Sequence, residues 1–300
     1  MNNPLVSVIV TTYNQQTFIA ECLDGILSQK TDFDFEILVG NDCSTDMTAD
    51  IIKTYAAKDE RVKLYTPAEN LVSTGQSLSH TLLIPVARGK YIAFCEGDDY
   101  WTDPYKLQVQ ANFLENNTDY SACYHDYDSL SDGVVSLIRH GKRDCDAHLS
   151  DMVNLMHCQL SSLMVRSECL RTDNVDIYFQ HPKHCYGDIN YYASCFEFGN
   201  VRYIARKMSI YRQSHNSLTA TDRKFNASHE KHIGGLTALV DVYGTKIQHV
   251  VRDYMSCQVL GRSSIAKGKP ILFSILLKIK AFFKSPAFVS RVYMIKWGLK

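Results

Sequence analysis

Residues Val6 to Thr11 (VSVIVT) form an almost unbroken β-branched run, and it stops abruptly in the polar cluster TTYN. A short apolar run of this kind, bounded by turn-forming residues, marks a strand buried on both faces, which is the habit of parallel sheets. The pattern repeats along the first hundred residues. Phe35 to Val39 (FEILV) ends in NDCSTD, Val62 to Tyr65 is a shorter strand, and Tyr91 to Cys95 (YIAFC) ends in EGDD. Helical segments fall between them. Residues 17–29 place Phe18, Ile19, Cys22, Leu23, Ile26 and Leu27 at helical spacing, a helix near 47–58 has Ser44 or Asp46 as its cap, and a third helix is expected near 75–87. Strand and helix in alternation predict a doubly wound, parallel α/β sheet. Such sheets bind ligands at the carboxyl ends of their strands, where the three polar clusters sit.

The second half is less regular. Residues 158–166 and 201–211 read as strands, 187–198 as a helix between them, and 228–260 as helical. Of 300 residues 45% are hydrophobic, enough for one large domain with an appendage and too many for disorder. The net charge is zero, with 32 basic and 32 acidic residues, but it is unevenly spread. No acid follows Asp253, while nine Lys or Arg remain beyond it, so an acidic body carries a basic tail. That tail (265–300) mixes its cations with Ile271, Leu272, Phe273, Leu276, Leu277, Phe282, Phe283 and Trp297. It reads either as a helix packed on the domain or as a peripheral contact with anionic lipid. Ten cysteines include no CxxC pair, which argues against zinc and thioredoxin-like chemistry, and Cys22, Cys95 and Cys123 read as buried small hydrophobes. The usage fits a reducing cytosol, and neither a signal peptide nor a membrane span is expected.

EGDDYW at 96–101 is the sharpest chemical feature. Glu96, Asp98 and Asp99 at the end of a buried strand are costly without compensation, and a hard divalent cation would supply it. An acidic turn capping a helix is the plainer alternative. Asp42, in NDCSTD, is placed to accept from the N–H of a pyrimidine ring, whereas Ser44 and Asp46 suit an ordinary helix cap.

The order VSVIVTTYN, EILVGNDCSTD, ARGKYIAFCEGDDYW resembles family 2 of the GT-A glycosyltransferases over roughly residues 5–220. The resemblance implies a GT-A fold: Rossmann-like, with a mostly parallel central sheet flanked by helices. It divides the chain into a domain at 1–220, with a nucleotide-binding half about 1–100 and an acceptor half about 101–220, and a helical, basic C-terminal extension at 221–300. By the same resemblance Thr11, Tyr13 and Asn14 lie at the nucleotide, Tyr13 by stacking on the base, and Asp42 binds uracil. Asp98 is the last acid of the metal-binding motif, Glu96 stands in place of its first, and Asp99 follows. Asn41 departs from the usual Asp. YGDINYY at 186–192 resembles the second acidic motif, whose acid, Asp188, is the general base of inverting members; Gly187 replaces a common Glu. YRQSHNS at 211–217 offers Arg212 and His215 to the diphosphate or the metal, with Arg-x-x-His where Arg-x-His is usual. Lys106, in WTDPYKLQ, reads as a solvated helix residue, with loop orientation or phosphate contact as the alternative.

These readings predict transfer of a sugar from a nucleotide diphosphate-sugar, with UDP as the nucleotide and Mn²⁺ or Mg²⁺ as the cation. The acceptor would be a glycan or lipid-linked glycan. The expected place is the cytoplasm, in contact with the membrane's cytoplasmic face, with no nucleic acid partner. A nucleotidyltransferase would carry a glycine-rich phosphate loop after strand one, and a dehydrogenase would carry G-x-G-x-x-G there. TTYNQQ contains no glycine. A non-catalytic module would have lost one of the two acid sets, and both are present.

Overall fold

The computed structural model describes residues 3–137, 141, 143–149, 158–184, 187–213, 227–245 and 247–248. The apolar runs become strands β1 (Val6–Thr12), β2 (Phe35–Asn41), β3 (Val62–Tyr65) and β4 (Tyr91–Glu96). They pair in parallel in the order β3-β2-β1-β4. Helices α1 (Ile19–Leu27) and α2 (Thr48–Lys58) connect them. Successive residues of β1 feed two different cores. Val6, Val8 and Val10 join Ile37, Val39, Ala93 and Cys95 on one face, while Ile9 joins Leu38, Ile92 and Phe94 on the other. Register puts Thr11 opposite both Gly40 and Glu96, so the carboxyl ends of β1, β2 and β4 finish at one level.

The expectation of a parallel, doubly wound sheet holds only for this half. Beyond β4 the sheet is mixed. β9 (Met164–Arg166) lies antiparallel to β4 and to β6 (Tyr120–Ser131), β10 (Asn200–Gln213) is parallel to β6, and β5 (Tyr100–Trp101) closes the path antiparallel to β10. Hairpin partner β7 (Val134–Leu137) pairs with β6 and β8 (Cys145–Asp146) with β10. β9 enters from a 3₁₀ turn, Leu160–Ser162, and not from a crossover helix, which leaves it free to run antiparallel. That turn also shortens the expected strand at 158–166. Gln159 accepts the Ser161 N–H through its side chain, and the Ser162 hydroxyl donates to the Gln159 carbonyl, so local bonds displace the ladder.

The expected helix at 75–87 is broken into a π turn (Ser79–Leu83) and a 3₁₀ turn (Ile84–Val86), and a separate 3₁₀ turn (Val72–Thr74) precedes it. Pro85 lacks the N–H an α-helix requires and its ring clashes with the preceding turn. Helices α3 (Lys106–Asn116), α4 (Asp173–Gln180), α5 (Gly187–Phe198) and α6 (Ala227–Tyr243) complete the described elements. α6 covers the start of the segment read as helical at 228–260, whose end lies outside the described residues, as does the basic tail. Among the described residues no helix is long and apolar enough to cross a membrane.

At the amino ends of the strands a buried carboxylate ties four segments together. Glu36 accepts from the Ser7 hydroxyl (2.8 Å), the Arg88 backbone N–H (2.9 Å), the Arg88 guanidinium (2.7 Å) and the Lys63 ammonium (2.8 Å). Burial alone would raise its pKa, but the bonds from Arg88, Lys63 and Ser7 outweigh it and bring the carboxyl from 4.5 to about 2. Glu36→Gln should cost about 3 kcal/mol, the low end for breaking a buried pair because Arg88 and Lys63 can turn to water. The carboxyl is depressed in the fold, so its contribution is complete above pH 4.5 and fades as pH falls toward 2. Denaturant melts should therefore show the gap between wild type and Glu36→Gln narrowing from pH 6 to pH 3; a constant gap would refute the ionic account.

Candidate active site

The loops after β1 and β2 are stitched to one another. Asn14, in left-handed conformation at φ 53°, donates its N–H to the Ser44 hydroxyl (2.9 Å) and accepts the Thr45 N–H (2.7 Å). Asp46 accepts the N–H groups of Thr48 (2.9 Å) and Gln16 (3.1 Å) and so steadies the entry to α2, but the cap position is Met47, not the expected Ser44 or Asp46, and Ser44 serves the neighbouring loop. Asn14 is thus a fastener that leaves Tyr13 standing 49% exposed at the mouth of the sheet, beside the half-buried Thr11. Asp42 is buried, and its two carboxylate oxygens accept the N–H groups of Leu71 (2.7 Å) and Val72 (3.1 Å). Whatever base it meets, it also anchors the segment at 70–74, a bond no local pattern in the sequence announces.

The acid turn follows β4. The Asp99 N–H closes back on the Glu96 carbonyl (2.9 Å), and the Gly97 N–H reaches the Thr11 carbonyl (2.9 Å), which binds the turn to β1. Only glycine fits at 97: a Cβ there would lie 2.4 Å from Gln15 Oε1 and 2.8 Å from Thr12 Cβ. Asp99 is 1% exposed and fully engaged. Its oxygens accept from the Ser161 hydroxyl (2.6 Å), the Gln159 amide (2.8 Å) and the Arg212 N–H (2.9 Å). Gln159 also donates to Glu96 (3.2 Å). Arg212 lies between the rings of Phe18 and Tyr100, donates to the Asp98 carbonyl (2.8 Å) and pairs with Glu21 (2.5 Å). It therefore buttresses the turn. Asp98 is half-buried, is hydrogen-bonded by Gln15 and feels the charge of Arg212.

On the far wall Asp188 stands in the first turn of α5, where the helix dipole favours a carboxylate. Its Oδ1 accepts the Ile189 N–H (2.9 Å), and Gly187 leaves room for Phe179, whose ring edge would lie 3.1 Å from a Cβ at 187. Burial pushes Asp188 up to about 6. Burial, followed by repulsion from Asp99, Asp98 and Asp188, raises Glu96 far above the carboxylate range. Burial and then Asp98 push Asp99 to about 8. Glu96 thus lies within electrostatic reach of three further carboxylates, a local excess of negative charge.

That charge imbalance is the test of the expected cation. Among the described residues no three His, Cys, Asp or Glu side chains converge to hold an ion unaided. A divalent ion held by one or two carboxylates and by phosphate oxygens of a ligand needs no such trio, and the donor set is all hard oxygen. The residues present fit that arrangement, with Asp98 best disposed and Glu96 beside it. His215 lies outside the described residues.

Two placements could not be read from the sequence. Gln159 and Ser161 clamp Asp99 from some sixty positions away and belong to no motif. Lys106 is not a solvated helix residue: it is 0% exposed, because α3 packs that face against Trp101.

An α/β sheet with an acid cluster at the carboxyl ends of its strands has the acids where sheets of this kind bind their ligands. The sequence profile described as "Glycosyl transferase family 2" matches residues 7–216, and the chain belongs to that family of glycosyltransferases. TuaG of Bacillus subtilis, named for teichuronic acid biosynthesis, is 35% identical over 111 residues, which are 37% of this chain and 42% of TuaG. For others the shared stretch is 34% of their length, so the chain spans roughly a third to two fifths of the curated relatives it matches. S. aureus TarS, solved with UDP-GlcNAc, superposes with a TM-score of 0.63 at 20% identity, covering 86% of this chain and 72% of that one. The mannosyltransferase PcManGT of Pyrobaculum calidifontis, solved with GDP-Man and Mn²⁺, gives 0.50 at 15% identity, covering 100% and 89%. At such identities the structural likenesses establish the fold.

Proposed function

We infer that this chain transfers one sugar from a UDP-sugar to an acceptor hydroxyl, with inversion at the anomeric carbon and with a divalent cation, in the synthesis of a cell-surface polysaccharide or glycolipid. The observation that carries the reading is the acid turn itself, Glu96, Asp98 and Asp99 at the carboxyl end of β4, with Asp188 near enough for its charge to bear on Glu96. Support for the donor comes from TarS with UDP-GlcNAc, and for the pathway class from TuaG.

Tyr13 stacks on the base and Asp42 fixes its edge, with residues 1–220 as the catalytic unit. Asp98 and Glu96 hold the cation, which when bound neutralises charge on the diphosphate. Asp99 and Arg212 keep the turn in shape. Asp188, approaching from the other wall, removes the proton from the acceptor hydroxyl as its oxygen attacks the anomeric carbon. The test is a panel of UDP- and GDP-sugars incubated with Mn²⁺ and a mixed glycan acceptor pool. Release of UDP from at least one donor, stopped by EDTA, is expected; turnover of GDP-sugars alone would overturn the UDP reading.

The extension at 221–300 is taken as a basic element that meets anionic lipid. Removal of 268–300 should weaken binding to acidic vesicles, and the binding of the full chain should fall as salt rises, since such attraction is screened within ~8 Å at physiological salt. Full-length protein that ignores acidic vesicles at low salt would remove this part.

A further inference from the structure

Lys106 is a full-length cation in the interior, and the mechanism above does not use it. Its ammonium donates to Gln110 Oε1 (2.8 Å) and lies 4.0 Å over the Trp101 ring. A buried lysine with no carboxylate partner is costly, so what it holds in place is a question of function as well as of packing.

Both contacts lead to the same turn. The Gln110 amide nitrogen donates to the carbonyls of Ser162 (2.9 Å) and Cys123 (3.2 Å), which forces its oxygen toward Lys106. The Trp101 indole N–H donates to the Ser161 carbonyl (3.1 Å). Residues 159–162 are therefore gripped from below by Gln110 and Trp101, the two groups Lys106 touches. From above, the turn presents the Ser161 hydroxyl and the Gln159 amide to Asp99, and Gln159 again to Glu96. Burial lowers Lys106 to about 7, and burial together with the Lys106 charge holds the neighbouring His125 well below its usual value. Of these two interior bases, Lys106 holds its proton the more readily.

We propose that Lys106 is a positioning residue for the acid turn: through Gln110 and Trp101 it sets the 159–162 turn, and that turn orients Asp99 and Glu96. The proposed consequence for cation binding rests on the function inferred above; the positional claim does not.

The experiment is amide hydrogen exchange on the full chain without ligand, comparing wild type, Lys106→Met, Gln110→Met and the double variant. Lys106→Met keeps the stem and removes the charge and the donor. The N–H groups of Ser161, Ser162, Leu163 and Arg212 should exchange about tenfold faster, while those of α3 and β1 keep their wild-type rates. The double variant should be no worse than the stronger single one, because the two residues act in series. Unchanged rates at 161–163 and at Arg212, or uniform acceleration through α3 and the sheet, would overturn the proposal. If Lys106→Met does not fold, Gln110→Met decides by the same amides. In calorimetry with UDP, Lys106→Met should weaken Mn²⁺-dependent affinity about tenfold and leave Mn²⁺-free affinity within about twofold. A wild type whose UDP affinity ignores Mn²⁺ would defeat the cation reading, while the exchange result would still decide the role of Lys106.

Discussion

Asp188→Asn is expected to lower sugar transfer about 10²–10⁴-fold while leaving UDP binding within about twofold of wild type. The substitution keeps the size of the side chain and its bond to the Ile189 N–H, and takes away only the ability to accept a proton. The nucleotide contacts assigned here, at Tyr13 and Asp42, belong to other loops. The pH dependence supplies an independent check. Burial raises Asp188 to about 6, so below that pH the carboxyl is protonated and cannot serve as a base. For wild type kcat/KM should rise with pH through about 6 and level off above it, since that ratio reports the free enzyme. The residual activity of Asp188→Asn should lack this limb. Wild-type turnover in the variant would remove Asp188 from the mechanism.

Asp98→Ala is expected to separate binding from stability. Losing a carboxylate from the proposed cation site should weaken Mn²⁺-dependent UDP affinity by about 30- to 4000-fold, the range for truncating one partner of a desolvated charge pair. Without ligand the opposite should hold. Asp98 contributes to raising both Glu96 and Asp99, so its removal relieves repulsion within the turn. The unliganded variant should therefore melt at the same temperature as wild type or a few degrees higher, as happens where function demands a strained cluster of like charges. Calorimetry and thermal melts on the same samples check both halves. A variant that loses stability and keeps its cation-dependent affinity would show that Asp98 is a structural cap.

These sites differ in how far the sequence disclosed them. β1, β2 and β4 are buried on both faces, so each reads as an apolar run, and the polar residues at their ends stand out against it. β6 is hidden because YSACYHDYDSLS carries Ser, His and Asp at buried positions; β10 supplies partners to Ser121 and Asp126, while His125 Nδ1 meets the adjacent Asp126 carbonyl. His125 and Asp126 are legible as strand residues only once the sheet is assembled. The break at Ser79–Leu83 and Ile84–Val86 has a local cause in Pro85, inside the segment expected to be one helix. Lys106 was misjudged for a physical reason. A lysine on a helix is ordinarily solvated, and the groups that make its burial possible, Gln110 and Trp101, declare themselves only through their bonds to the 159–162 turn. Asp99 shows the same limit: its position in EGDD was evident, and the side chains that orient it were not.

The most direct measurement is proton NMR of the sugar as wild-type enzyme, with Mn²⁺, consumes its UDP-sugar. The configuration is read on the glycoside formed with the acceptor, whose anomeric centre is fixed. An α-linked donor should give a β product, because the proposed base removes the acceptor proton on the face opposite the diphosphate. A first product of retained configuration, or consumption of the donor that proceeds equally well in EDTA, would contradict the account.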